Sequence, residues 1–126
     1  MITEDYVSFE IAKLLKERGF DEDIDLWYDE NGEMFFCHKY YISIDWRVKA
    51  QQKVYLCPTL QMTMKWLREV HDIFIEISVD EMLKDEGYQW ALYYNSTKEI
   101  RPYSGWGNSY EETCEAAIKY CLENLI

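Results

Sequence analysis

Apolar residues recur at helical spacing in three stretches of the chain, separated by shorter runs rich in aromatic and β-branched residues. Val7, Ile11, Leu14 and Leu15 form the first stripe. Thr3 stands before it as a cap, Glu4 and Asp5 suit the positive end of a helix dipole, and Gly19 with Phe20 suits a Schellman ending. This pattern predicts a helix over 4–18. Pro58-Thr59 opens a second helix over 59–71, with Leu60, Met64, Leu67 and Val70 on one face and Met62 and Trp66 widening it. Ser109-Tyr110-Glu111-Glu112 is a capping box for a third helix over 110–125. Its stripe runs through Cys114, Ala117, Ile118, Cys121, Leu122 and Leu125.

The runs between these helices read as strands. Ile24–Tyr28 and Glu33–Tyr41 flank Asp29-Glu30-Asn31-Gly32, and Asn-Gly between aromatic runs is a hairpin signal. Residues 42–57 carry a weaker alternation through Ile42, Ile44, Trp46 and Val48, then a polar loop over 49–53. Ile73–Val79 alternates as a half-buried strand, Lys84–Gly87 is a turn, and Tyr88–Tyr94 places Trp90, Leu92 and Tyr94 on one side. Residues 95–108, with Pro102, Gly105 and Gly107, read as a loop. The expected order is α-β-β-α-β-β-α. It makes an α+β protein whose antiparallel sheet is covered mainly on one face by three helices, with one domain across 1–126.

Aromatic residues make up 17% of the 126 positions, more than a disordered chain carries, so the chain folds. No apolar run reaches the roughly 18 residues of a membrane span, and Met1–Asp5 has no basic or apolar leader character. The expectation is a cytoplasmic protein that keeps Cys37, Cys57, Cys114 and Cys121 as free thiols. Cys114 and Cys121 stand about 10 Å apart along a helix, beyond disulfide reach, and are expected as small core residues.

Net charge is −11 and unevenly spread: −8 over residues 1–33, +5 over 34–68 and −8 over 69–126. Such a surface repels phosphate backbones, which counts against non-specific nucleic-acid binding. The basic middle either neutralises nearby acids in the fold or forms a patch for self-association or an acidic partner.

Candidate chemistry is sparse. Asp21, Asp23 and Asp25 imitate the start of a calcium loop, but Leu26 and Gly32 stand where that loop needs Gly and Glu. His38 and His71 have no metal-ligand spacing, and no phosphate-binding glycine motif, nucleophile elbow or zinc-helix motif occurs. No cofactor is expected, and the chain reads as non-enzymatic. The segment most suited to recognition is Arg101–Tyr110, where Arg101, Tyr103, Trp106 and Tyr110 gather around Pro102, Gly105 and Gly107. Trp, Tyr and Arg dominate binding hot spots. The competing assignment folds this segment back so that Trp106 covers the core.

Pro58–His71 resembles a segment of small uncharacterised proteins from gut Bacteroides-type bacteria and their prophages. The resemblance extends to Met1–Tyr6 and Glu115–Leu122. It implies a bacterial cytoplasm and a mobile-element origin, and it brings no activity, ligand or catalytic residue. The leading expectation is therefore a protein-interaction module, binding a protein partner or a second copy of itself. The alternatives are a small-ligand binder or enzyme with a pocket near 101–110, and an acidic nucleic-acid-mimicking decoy.

Overall fold

The computed structural model describes residues 2–37, 54–79, 87–94 and 99–126, with the side chains of 94 and 99–103 outside that description. The expectation of one domain over 1–126 meets a chain whose contacts divide into two compact units, Glu4–Thr59 and Leu60–Ile126.

In the first unit the chain is not helical from residue 4. Tyr6 bridges Thr59, the Val7 N–H donates to the Pro58 carbonyl at 3.0 Å, and the Val7 side chain is fully buried. A β-branched residue fits that extended segment as well as it fits a helix stripe, and the pairing with 58–59 decides between them. Helix α1 (Phe9–Glu17) therefore begins after Ser8, whose Oγ accepts from the Ile11 N–H at 3.3 Å, and Thr3 is not its cap. Its end is a full Schellman motif. The Phe20 N–H donates to the Leu15 carbonyl, the Gly19 N–H donates to the Lys16 carbonyl, and Gly19 sits at φ +86°.

Strands β1 (Leu26–Tyr28), β2 (Met34–Phe36) and β3 (Tyr55–Leu56) form an antiparallel sheet in the order β2-β1-β3. The hairpin falls at the Asn-Gly pair. Asp29 Oδ1 accepts from the N–H groups of Asn31 and Glu33, and the Asp29 carbonyl accepts from Gly32. The expected second strand reached Tyr41; its residues 38–41 lie outside the described residues, as do 42–53. Ile11, Ala12 and Leu15 share a core with Leu26, Tyr28, Leu56 and Cys57. The buried Tyr28 hydroxyl donates to the Val7 carbonyl at 2.7 Å, and Phe9 packs on the rings of Tyr28 and Tyr55, each at 5.5 Å. Lys16 closes this side: its Nζ donates to the Val54 carbonyl and lies over Tyr55.

The second unit opens with helix α2 (Leu60–His71), which buries Leu60, Thr63, Met64, Trp66 and Leu67. Val70 and Met62, expected on the apolar face, are exposed. The buried stripe follows the 3.6-residue repeat through Thr63 instead. Asp72 turns the chain at φ +58° into strand β4 (Ile73–Val79), which pairs antiparallel with β5 (Tyr88–Tyr94) along its whole length.

The largest departure from the expected order lies in 95–108. Residues 95–98 are outside the described residues, but 99–107 are a strand, β6 (Glu99–Gly107), on the other side of β5. Its pairing breaks between Ala91 and Tyr93, so Arg101, Pro102 and Tyr103 together oppose Leu92. Proline lacks a ladder donor, and a bulge on an edge strand is where a sheet accepts it. Helix α3 (Tyr110–Asn124) follows, capped by Ser109 Oγ accepting from the Glu112 N–H.

Helices α2 and α3 pack on the face of β4–β6 that carries Ile73, Trp90 and Leu92. The α+β class and the antiparallel pairing agree with the expectation. The described order is α-β-β-β-α-β-β-β-α, with two added strands because Tyr55–Leu56 and Glu99–Gly107 also pair, and the strands lie in two three-stranded sheets rather than one. No described helix is long and apolar enough to cross a membrane.

Two glycines make the second unit possible. A Cβ on Gly105 would meet the Trp90 indole, 2.7 Å from Cε2, and one on Gly107 would meet the first turn of α3, 3.0 Å from the Thr113 nitrogen. Gly105→Ala and Gly107→Ala are each expected to destabilise the protein by about 1–3 kcal/mol through overpacking, measured by urea unfolding. A change at either position within error of zero would contradict this packing.

Candidate functional site

The second sheet has two unlike faces. On the helix side, Trp90 lies between Gly105 of its own sheet and Tyr120 of α3, with ring centroids 5.5 Å apart. Side chains alternate along a strand. Gly105 and Gly107 both face the helices, so the residue between them, Trp106, must project from the opposite face, and it is 60% exposed. The assignment that uses Trp106 to cover the core does not describe this structure.

Strand register supplies the rest of that open face. Trp106 pairs with Gln89, which pairs with Ser78; Ala91 pairs with Glu76, and Phe74 pairs with Tyr93. Phe74 is 41% exposed, and the guanidinium of Arg68, in the last turn of α2, stands 5.7 Å from its ring centroid. The Tyr93 hydroxyl donates to the Glu76 carboxylate; that bond and its neighbouring charge hold the phenol above its ordinary range. The open face is thus a row of aromatic rings crossed by one carboxylate and bordered by one cation. The two helices of this unit, α2 and α3, pack on the other face.

Of the four residues singled out in the sequence, Trp106 and Tyr110 lie on different sides of the sheet. Trp106 is on the open face. Tyr110 is in the first turn of α3, where its ring meets Tyr88 edge-on at 6.2 Å and its hydroxyl accepts from Gln61 Nε2 at 3.4 Å. Tyr88 shares the helix side with Trp90, so Tyr110 and Trp106 serve opposite faces of the sheet. The backbones of Arg101 and Tyr103 lie in the bulge of β6, and their side chains are outside the described residues. Phe74, Glu76 and Tyr93 belong to the face and were not singled out. The alternation of Ile73–Val79 did mark Phe74 and Glu76 as the side opposite the isoleucines.

A second apolar exposure lies in the first unit. Met34 and Phe36 pair with Tyr28 and Leu26, so they extend the core face outward along β2; Phe36 is 80% exposed.

Cys57, Cys114 and Cys121 are buried, burial pushes the Cys121 thiol up to about 12, and burial also raises that of Cys57. Burial that favours the protonated thiol lowers its reactivity. No group of three His, Cys, Asp or Glu side chains converges among the described residues. His71 ends α2 with its ring against Trp66 at 4.6 Å, and its buried Nε2 has no hydrogen-bond partner among the described residues. Desolvation there holds the imidazole below its usual range. No family model, curated protein or solved structure matches the chain.

Two outcomes follow from this geometry. Trp90→Ala is expected to cost about 3–5 kcal/mol as a core cavity, whereas Trp106→Ser costs about 1 kcal/mol or less, both by urea unfolding. His71 is neutral in the fold and charges more readily in the unfolded chain. Its contribution is intact above the unfolded pKa near 6.5 and is lost as pH falls through that value and then the lower folded one. His71→Gln should flatten the stability profile in that window; a profile unchanged by the substitution would contradict the buried, neutral imidazole.

Proposed function

We propose that this chain is a non-enzymatic protein-interaction module that receives a protein partner on the open face of its second sheet. The observation that carries the proposal is Trp106, held outward by two glycines that leave no room for the strand to rotate. A tryptophan anchored on a rigid strand loses little conformational freedom when it is buried by a partner, and such residues dominate interface energetics. Phe74 and Tyr93 add apolar area. Glu76 adds a charge that discriminates between partners more than it strengthens binding.

The net charge of −11 fits a protein partner better than a phosphate backbone. A cytoplasmic setting, with its reduced thiols, is part of the same proposal.

A photocrosslinking residue at Gln89, beside Trp106 on the open face, should give an adduct of defined mass in the cells that make the protein. The same residue at Glu111, on the first turn of α3, should not. Trp106→Ser should abolish the Gln89 adduct while leaving the melting curve in place. Equal adducts from both positions, or none from Gln89, would overturn the proposal.

A further inference from the structure

Strand β4 is an edge of its sheet: it bonds β5 on one side, and no described strand lies on the other. Alternate N–H and C=O groups along Ile73–Val79 therefore face outward. Protein sheets usually blunt such an edge with proline, lysine, a bulge or a short strand. This edge has seven residues in unbroken register with β5, no proline, no lysine and one charge, Glu76. On its helix side Ile75 and Ile77 are only half-buried, so apolar surface stands at the rim of the core.

The charges beside this edge are arranged to match themselves. Arg68 lies over Phe74, and Glu76 is two residues further along the same face. We infer that β4 pairs antiparallel with β4 of a second copy of this chain, about a two-fold axis at Ile75. In that register Phe74 opposes Glu76 of the second copy, and Ile73 opposes Ile77. Each Glu76 carboxylate then meets the Arg68 guanidinium held over the opposing Phe74, and the contact occurs twice. Shifting the axis to Glu76 would set the two carboxylates face to face, which disfavours that register.

Backbone pairing and the covering of Ile75 and Ile77 drive the association. The chain's net charge of −11 opposes it at long range, so the Arg68–Glu76 pairs act chiefly on register. The product is a continuous six-stranded sheet with two copies of Trp106 on one face.

Sedimentation velocity on the full chain across a micromolar concentration series tests this. The wild-type chain should form a dimer. Glu76→Arg and Arg68→Glu should each weaken it at least about tenfold, and the double reversal should restore it. Trp106→Ser should leave it unchanged, so loss of this interface and loss of the Trp106 docking face are separable. A monomer at every concentration, a dimer indifferent to both reversals, or a double variant that stays monomeric would overturn the inference. If a reversal unfolds the chain by circular dichroism, amide exchange on the wild type decides. Alternate amides of Ile73–Val79 should gain protection as concentration rises, and exchange independent of concentration would overturn the inference.

Discussion

The indole of Trp90 rests on Gly105 with no space for a side chain between them, and most of what distinguishes the second unit follows from that contact. It allows a large ring to pack directly on the backbone of the neighbouring strand and still meet Tyr120 of α3. Gly107 repeats the device one pair along, where the first turn of α3 comes down on the strand. Two glycines spaced by one residue thus pin β6 against both the sheet and the helix. The pin leaves Trp106 one direction to point. Packing on one face dictates what is displayed on the other, so the display is as rigid as the core beneath it.

The first unit is held differently. Beside its apolar core stand the Schellman end of α1, the Asx-stabilised hairpin at Asp29, and the buried long-range bond from the Tyr28 hydroxyl to the Val7 carbonyl. The Tyr6–Thr59 bridge and the Val7 N–H to Pro58 carbonyl bond tie the extended N-terminal segment to Pro58 and Thr59, which border the second helix in sequence. Three of the four cysteines fill the cores of the two units as small apolar groups, Cys57 in the first and Cys114 and Cys121 in the second.

The helices α2 and α3 and the strands β4 and β5 were legible because their apolar positions repeat cleanly and carry start and stop signals at their ends. The first helix was half legible. Gly19 and Phe20 marked its end, but Thr3 and Glu4 imitate a start that belongs to Ser8, since nothing local reveals that Val7 pairs with Pro58. Strand β6 was illegible for a physical reason. Pro102, Gly105 and Gly107 are loop residues by local preference, and only tertiary contacts turn them into strand features: a bulge that accepts the proline, and close approaches that require the glycines. The same misassignment hid the site. With 95–108 taken as a loop, Trp106 and Tyr110 looked like neighbours; as strand and helix they serve opposite faces. Phe74, Glu76 and Tyr93 join Trp106 only through cross-strand register, which the sequence does not display.

The contact between Trp90 and Gly105 is directly observable by nuclear magnetic resonance. An α-proton held against an indole ring is shifted from its random-coil position by the ring current and shows nuclear Overhauser effects to the ring protons. The account predicts both for Gly105, with the ring signals assigned to Trp90 by their disappearance in Trp90→Phe. A Gly105 α-proton at its random-coil position, with no cross-peak to Trp90, would contradict the packing that turns Trp106 outward.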